Sequence, residues 1–138
     1  MGDGGALALR DVALASSTAM AGCHEGCYGP VAYTTSGSGG ALAAQGARAT
    51  VSLDNVTFRS NVATQGGYET ARGGALLVLD GARVRMTPSV VFADNAINFN
   101  GEYTPNDIGN DVNGSTALEC VGGPVPAIVD GDNCTVVD

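Results

Sequence analysis

Short runs of alternating apolar and polar residues follow one another along most of this chain. Ala49, Val51 and Leu53 stand at every second position with polar residues between them, and the pattern returns in 83–86. A period of two is typical of a β-strand with one buried face. No stretch combines helix caps with a 3.6-residue period, so the sequence predicts an all-β fold.

The strands belong to a block that occurs three times. Gly-Gly-Ala-Leu begins at Gly4, Gly39 and Gly73, so the period is 35 and then 34 residues. The second and third blocks end on Phe-x-x-Asn, whereas the first has a stretch with two cysteines in its place. Periods of this size are typical of supersecondary units that stack on one another.

The connections decide how these units stack. Each block contains three short strands and three turns, and the two-residue turns do not join antiparallel strands of matched length. A parallel β-helix fits instead, because each block then forms one rung and its strands lie about 4.8 Å from their equivalents in the next rung. We predict a single domain, 1–138, of about four rungs. Regular rungs start at 4, 39 and 73, and a degenerate terminal rung spans 107–138.

Stacked rungs place equivalent residues over one another. The 34-residue spacing puts Phe58 against Phe92 in the core and Asn61 against Asn95 at a bend, where amides form a hydrogen-bonded ladder. The paired glycines provide positive φ and close approach where the chain re-enters the stack. Two arginines follow the repeated Gly-Ala and are expected to stack on an outward face, namely Arg48 and Arg83. That face is a candidate contact for an acidic glycan, although a solvated surface is the default interpretation.

The pairing of Gly-Gly-Ala-Leu with Phe-x-x-Asn, complete in 39–61 and 73–95, resembles the repeat of the polymorphic outer-membrane proteins. More broadly, it is similar to right-handed β-helix surface proteins of the pectate-lyase-like class. The resemblance covers roughly Gly4 to Asn100, and the first repeat lacks Phe-x-x-Asn. It implies a right-handed helix and an extracellular passenger role in adhesion or surface structure. It does not imply a catalytic site.

Composition narrows the choice of partners. The chain has 138 residues, a net charge of −8 and no lysine, so it lacks the basic surface that binds nucleic acid. No apolar run approaches the about 18 residues of a membrane span. The 21 glycines stand at repeated positions, which favours turns in a regular β fold over disorder.

Cysteines and glycosylation motifs point to an extracellular or cell-surface location. Cys23 and Cys27 form one local pair of disulfide candidates and Cys120 and Cys134 another, although four cysteines permit three full pairings. The candidate glycosylation acceptors are Asn55, Asn113 and Asn133. No signal peptide follows Met1, so we expect this chain to be a piece of a longer precursor.

Candidate catalytic and metal-binding chemistry is weak. His24 lies between two cysteines, but a zinc site needs four ligands at settled spacings, so a loop closed by a disulfide or cross-linked elsewhere is preferred. Asp54, Asp80 and Asp94 fall at turns rather than in pairs on a strand face. We therefore predict no catalytic residue, no cofactor and no enzyme activity.

Calcium has two weak candidates in this chain. The acidic and amide residues of 110–113 and 130–132 offer oxygen ligands, but neither stretch has the spacing of an EF-hand loop. Ordinary turn chemistry explains both stretches. Calcium thus stays an alternative to the prediction that no cofactor binds.

The sequence predicts an extracellular structural or adhesive module that stacks end to end into a filament or a longer solenoid. Its partners are then copies of itself or adjacent rungs of a longer chain, with glycans as further candidates. A passenger fragment of an autotransporter-like surface protein is a related interpretation. The alternative is a carbohydrate-binding or polysaccharide-degrading β-helix domain whose active site lies outside this segment.

Overall fold

The computed structural model describes residues 5–20, 39–65, 71–110, 117–130 and 134–138, and these ranges contain strands and no helix. In chain order the strands are β1 (Ala6–Ala15), β2 (Thr18–Met20), β3 (Leu42–Gln45), β4 (Thr50–Arg59), β5 (Val62–Thr64), β6 (Leu76–Leu79), β7 (Arg83–Met86), β8 (Val91–Ala93), β9 (Ala96–Phe99), β10 (Glu102–Pro105), β11 (Ile108–Asn110), β12 (Ala117–Val121), β13 (Val129–Asp130) and β14 (Thr135–Val137). The predicted all-β class is confirmed.

The strands form three sheets, which the chain visits in turn as far as β12, after which β13 belongs to the third sheet and β14 to the first. The first sheet has the order β1-β4-β7-β12-β14, with β8 also paired to β4. The second has the order β10-β9-β5-β2 and the third β13-β11-β6-β3. Neighbouring strands are parallel everywhere except between β9 and β10. Strands that are distant in sequence therefore pair side by side, as the repeats predict.

The opening strand of the first block does not stack on that of the second block as predicted, because Ala6 of β1 lies opposite Thr50 of β4. Between the second and third blocks the register follows the 34-residue period except at one point. Leu42 pairs with Leu76 and Phe58 with Phe92, but β4 pairs with β7 at an offset of 33, so that Thr50 lies opposite Arg83. The turn before β7 is one residue shorter than the turn before β4, and the segment after β7 is one residue longer. The predicted stacking of Arg48 on Arg83 is therefore wrong.

Some boundaries also differ from the prediction. The expected turns at 10–11 and 54–55 lie inside continuous ten-residue strands, where Asp11 and Asn55 have φ values of 55° and 50°. Asp and Asn tolerate this left-handed conformation better than most residues. The expected polar connections 62–72 and 98–106 contain β5, β9 and β10. The segment 107–138, predicted as one rung, adds two strands to the first sheet and two to the third.

The core consists of small and medium apolar side chains supplied by successive strands. Val51, Leu53 and Phe58 of β4 are at most 1% exposed, and Val84 and Met86 of β7 are buried equally well. Fully burying one such side chain stabilises the fold by about 1.5–3 kcal/mol. Alanines occupy the tightest positions beside these strands, namely Ala44, Ala49, Ala75 and Ala82.

The paired glycines sit where one part of the backbone presses on another. A Cβ atom on Gly74 would lie 2.2 Å from the carbonyl oxygen of Asn106 and 2.6 Å from backbone atoms of Ala96. Gly73, directly before it, has a φ of 64°. In the third block, the paired glycines thus provide both the positive φ and the close backbone approach that the sequence predicts.

We expect Gly74→Ala to destabilise the fold by about 3 kcal/mol or more, because rigid backbone surrounds the added methyl group. Gly101→Ala is the matched control, because Gly101 also has a positive φ but faces open space, and its backbone strain costs about 1 kcal/mol. Urea denaturation followed by circular dichroism measures both. Equal losses in the two variants would contradict the close-approach explanation.

Candidate functional site

Two asparagines join successive strands inside the structure. The backbone N–H and the Nδ2 of Asn61 both donate to Oδ1 of Asn95 at 3.0 Å. On the other side, Nδ2 of Asn61 donates to the carbonyl of Leu14, and its Oδ1 accepts the N–H of Ser17. Both amides are buried. We call Asn61 and Asn95 the amide ladder.

The amide ladder continues into a carboxylate that the sequence reasoning missed. Nδ2 of Asn95 donates to the carbonyl of Phe58 at 3.0 Å and to Oδ1 of Asp107 at 2.9 Å. Oδ2 of Asp107 accepts the N–H of Ile128 at 2.8 Å. Asp107 is 6% exposed. No Phe-x-x-Asn precedes it, so only the spatial register identifies it as the next member.

An aromatic pair runs beside the amide ladder. The rings of Phe58 and Phe92 are stacked with centroids 4.9 Å apart and an interplanar angle of 4°. Phe58 is fully buried, and Phe92 is half-buried. The 34-residue spacing thus places both pairs of side chains side by side, which gives this region its core contacts and its satisfied polar groups.

One end of the stack leaves apolar side chains half-covered. The three leucines of β1 are half-buried, whereas their partners in the register of β4 are 0–1% exposed. The three pairs are Leu7 with Val51, Leu9 with Leu53 and Leu14 with Phe58. The difference arises because β4 has a strand on both sides, while β1 is the last strand in the order of its sheet.

The backbone of β1 presents a row of hydrogen-bonding groups along the same end. The carbonyl of Gly5 accepts the N–H of Thr50, and the N–H of Ser16 donates to the carbonyl of Arg59. Since successive residues of a strand alternate in direction, the residues between these two bonds include five that face away from β4. These residues, which we call the β1 edge, are Ala6, Ala8, Arg10, Ala13 and Ala15. Within the described ranges, no strand pairs with the β1 edge.

The opposite end of the stack is covered differently. In the second sheet the last strand is β10, which turns back antiparallel to β9 and ends on Pro105. In the first sheet the last strand is β14, which directly follows Cys134 in its disulfide with Cys120. Short strands, proline and antiparallel reversal are common means of blunting a sheet edge. The two ends are therefore unlike.

A groove opens beside β10. Phe92 and Tyr103 contribute aromatic surface to it, Ile128 apolar surface, and Asp94 and Asp107 carboxylates. Tyr103 is 64% exposed, whereas Asp107 is held by the amide ladder. Aromatic surface next to a few polar groups is a common composition for a small-molecule site.

Three outward arginines of the first sheet form ion pairs within the chain. Arg85 lies 2.9 Å from Glu119 and Arg83 lies 3.8 Å from the same carboxylate. Arg10 lies 3.0 Å from Asp54. The separation of Arg48 from Arg83 in the register does not support a joint grip on an acidic glycan, and glycan contact by either residue stays a prediction.

The remaining predicted site residues divide into described and undescribed positions. The disulfide between Cys120 and Cys134 confirms one candidate pair and fits an oxidising environment. Asn55 is exposed, and its Nδ2 donates to Asp11 at 2.7 Å, so its glycosylation stays a prediction. Several other predicted positions lie outside the described residues, namely Cys23, His24, Cys27, Asn113, Asn133 and most of both calcium candidates.

Comparison with protein-family models, curated proteins and solved structures finds no match to this chain. Among the described residues, no group of three His, Cys, Asp or Glu side chains is arranged to hold a metal ion. The same part of the chain contains no helix of the length and apolar character that crossing a membrane requires. The function is therefore inferred from the two ends of the strand stack and from the groove beside β10.

We expect Asn95→Ala to destabilise the protein by about 3 kcal/mol or more, because it removes the acceptor of the Asn61 N–H and the amide that donates to the Phe58 carbonyl and to Oδ1 of Asp107. Asn98→Ala is the control, because Asn98 accepts only an exposed bond from Gly101, worth about 1 kcal/mol. Thermal and urea denaturation measure the difference. A loss no larger than that of Asn98→Ala would show that the amide ladder contributes little.

Proposed function

We propose that the three sheets close into a right-handed parallel β-helix of about four rungs, which works as an extracellular structural or adhesive module. In this proposal the module joins further β structure through the β1 edge. The cyclic order in which the chain visits the three sheets supports the solenoid. The disulfide and the resemblance to surface-protein repeats support the location.

A single observation carries the structural role. Leu7, Leu9 and Leu14 are half-buried although their equivalents one strand further are fully buried. Within the described part of the chain, no strand pairs with the β1 edge beside them, which runs along a ten-residue strand. A long apolar strand edge of this kind binds another strand readily, and soluble proteins usually protect such edges. The end is therefore built to be covered by another rung.

The unlike ends favour extension in one direction. An open head-to-tail filament needs two complementary ends, and here one end carries the antiparallel β10 and the disulfide-linked β14. Extension at the β1 edge alone lengthens the solenoid at that end. An unlimited filament is the less favoured form of the same function.

Replacing Ala8 with proline tests this role. Proline at position 8 removes the N–H of Ala8, which faces away from β4, and breaks no bond to β4. We therefore expect the fold to persist and assembly to weaken at least about tenfold. Ala8→Thr keeps the N–H and is the matched control. Sedimentation velocity over a range of concentrations measures the assembly, and circular dichroism checks the fold.

Two outcomes would contradict the proposal. One is a wild-type chain that remains a single copy at every concentration tested. The other is an Ala8→Pro variant that assembles as readily as Ala8→Thr. Either result would mean that the protein does not assemble by adding a strand at the β1 edge.

The groove beside β10 favours a second candidate function, the binding of a neutral saccharide. Sugar rings pack on exposed aromatic surfaces, and the carboxylate of Asp94 offers an acceptor for hydroxyl groups. The net charge of −8 disfavours an anionic glycan at an acidic groove. Any catalytic residues would belong to rungs outside this segment.

We expect Tyr103→Ala to weaken binding of a neutral oligosaccharide at least about tenfold, because it removes the exposed ring of the groove. Phe99→Ala is the control, since Phe99 is 52% exposed but lies outside the groove. A panel of neutral oligosaccharides titrated against the protein by NMR provides the readout. No binding to the panel, or the same loss in both variants, would eliminate this candidate.

A further inference from the structure

The β1 strand reads almost the same in both directions. Its sequence, Ala-Leu-Ala-Leu-Arg-Asp-Val-Ala-Leu-Ala, has alanine, larger apolar and charged positions in the same order on both sides of the bond between Arg10 and Asp11. Its burial is fully symmetrical, because exposed and half-buried positions alternate outward from that bond in the same order on both sides. We propose that two copies of this chain pair through the β1 edge, antiparallel, about a twofold axis at that bond. The inference rests on the proposed use of the β1 edge.

This pairing matches side chains of the same kind and the same orientation. Leu7 lies opposite Leu14 of the second copy, and Leu9 lies opposite Val12 of the second copy. These four positions, Leu7, Leu9, Val12 and Leu14, are all half-buried in the single chain. Because opposite residues of an antiparallel pair lie on the same face of the sheet, these side chains extend the apolar core across the twofold axis. The exposed alanines meet one another on the other face.

The backbone directions are compatible with the same register. The residues of the β1 edge before the axis are Ala6, Ala8 and Arg10, and after it Ala13 and Ala15. The left-handed conformation of Asp11, with φ of 55°, interrupts the alternation at the axis. In the twofold register Ala8 faces Ala13 of the second copy and Ala6 faces Ala15 of the second copy. The outward amides of Ala6, Ala8, Ala13 and Ala15 therefore each meet an outward partner, whereas Arg10 lies opposite Asp11, which is not part of the β1 edge.

The charges at the axis are complementary. Arg10 lies opposite Asp11 of the second copy, and the twofold operation produces this pair twice. Both side chains are exposed in the single chain, where Arg10 contacts Asp54 and Asp11 accepts a bond from Asn55. Exposed ion pairs contribute little affinity, but they fix the register and reject slipped pairings.

The β1 strand of a second copy fits the β1 edge better than the β14 strand of a second copy does. Head-to-tail stacking would set the ten residues of β1 against β14, which has three. Most of the β1 edge would then remain unpaired. The twofold arrangement pairs the strand along its whole length and consumes the edge, so assembly stops at two copies.

Cysteine cross-linking tests the register. Ala8→Cys and Ala13→Cys are made separately, mixed and oxidised. Facing residues lie about 5.5 Å apart between Cα atoms, which suits a disulfide. In either variant alone, the two copies of the new cysteine lie five residues apart along the strand, about 17 Å, and do not reach one another. We expect a covalent dimer only in the mixture, at up to about half of the chains. Peptide mass spectrometry identifies the linked positions.

Sedimentation equilibrium of the wild type separates the possible failures. A mass of two chains together with the mixed cross-link supports the twofold pairing. Larger assemblies without the cross-link overturn the pairing but leave stacking at the β1 edge intact. A single copy at every concentration overturns the pairing and the proposed function together. Equal cross-linking of Ala8→Cys alone and of the mixture would also overturn the register.

Discussion

The side chain of Asn95 holds together more of this structure than any other single polar group described. It accepts two bonds from Asn61, donates to the carbonyl of Phe58 and donates to Asp107. These contacts link three successive strand levels at one buried corner. Short parallel strands are connected mainly by the backbone hydrogen bonds between neighbours. A buried side-chain amide that uses all of its donors and acceptors therefore fixes the register of the strands.

The amide ladder and the phenylalanine stack depend on the same spacing, and the backbone must permit it. Gly74 allows the chain to pass against Asn106, and buried alanines keep the turns beside β4 and β7 tight. With small residues at the corners and few aromatic rings, each level stabilises its neighbours rather than itself. Among the described residues, the level at β1 has one neighbouring strand level, which explains why its leucines are incompletely covered.

Much of this arrangement follows from the sequence, because repeated residues report repeated environments. The 34-residue spacing gave the contacts of Phe58 with Phe92 and of Asn61 with Asn95 correctly. It failed for Arg48 and Arg83, because the repeated Gly-Ala-Arg suggests one alignment while two buried alanines, Ala49 and Ala82, set another. A sequence motif on an exposed turn constrains register less than a small residue in the core.

Other features lay beyond the sequence for identifiable reasons. The strands β5 and β9 are short and largely bordered by polar residues, so their pairing depends on neighbours that only the fold supplies. Asp107 joins the amide ladder without the motif that marks the other members. The symmetry of β1 can be seen in its sequence, but it can serve pairing between two copies only because the strand lies at a sheet edge.

Amide hydrogen exchange along β1, measured over a range of protein concentrations, tests most directly whether this end of the stack is open. An open β1 edge predicts that the amides of Leu7 and Leu9, which face β4, are protected at every concentration. It predicts that the outward amides of Ala6, Ala8 and Ala15 exchange quickly in dilute solution and become protected as the concentration rises. Protection of the outward amides at all concentrations, or at none, would contradict it.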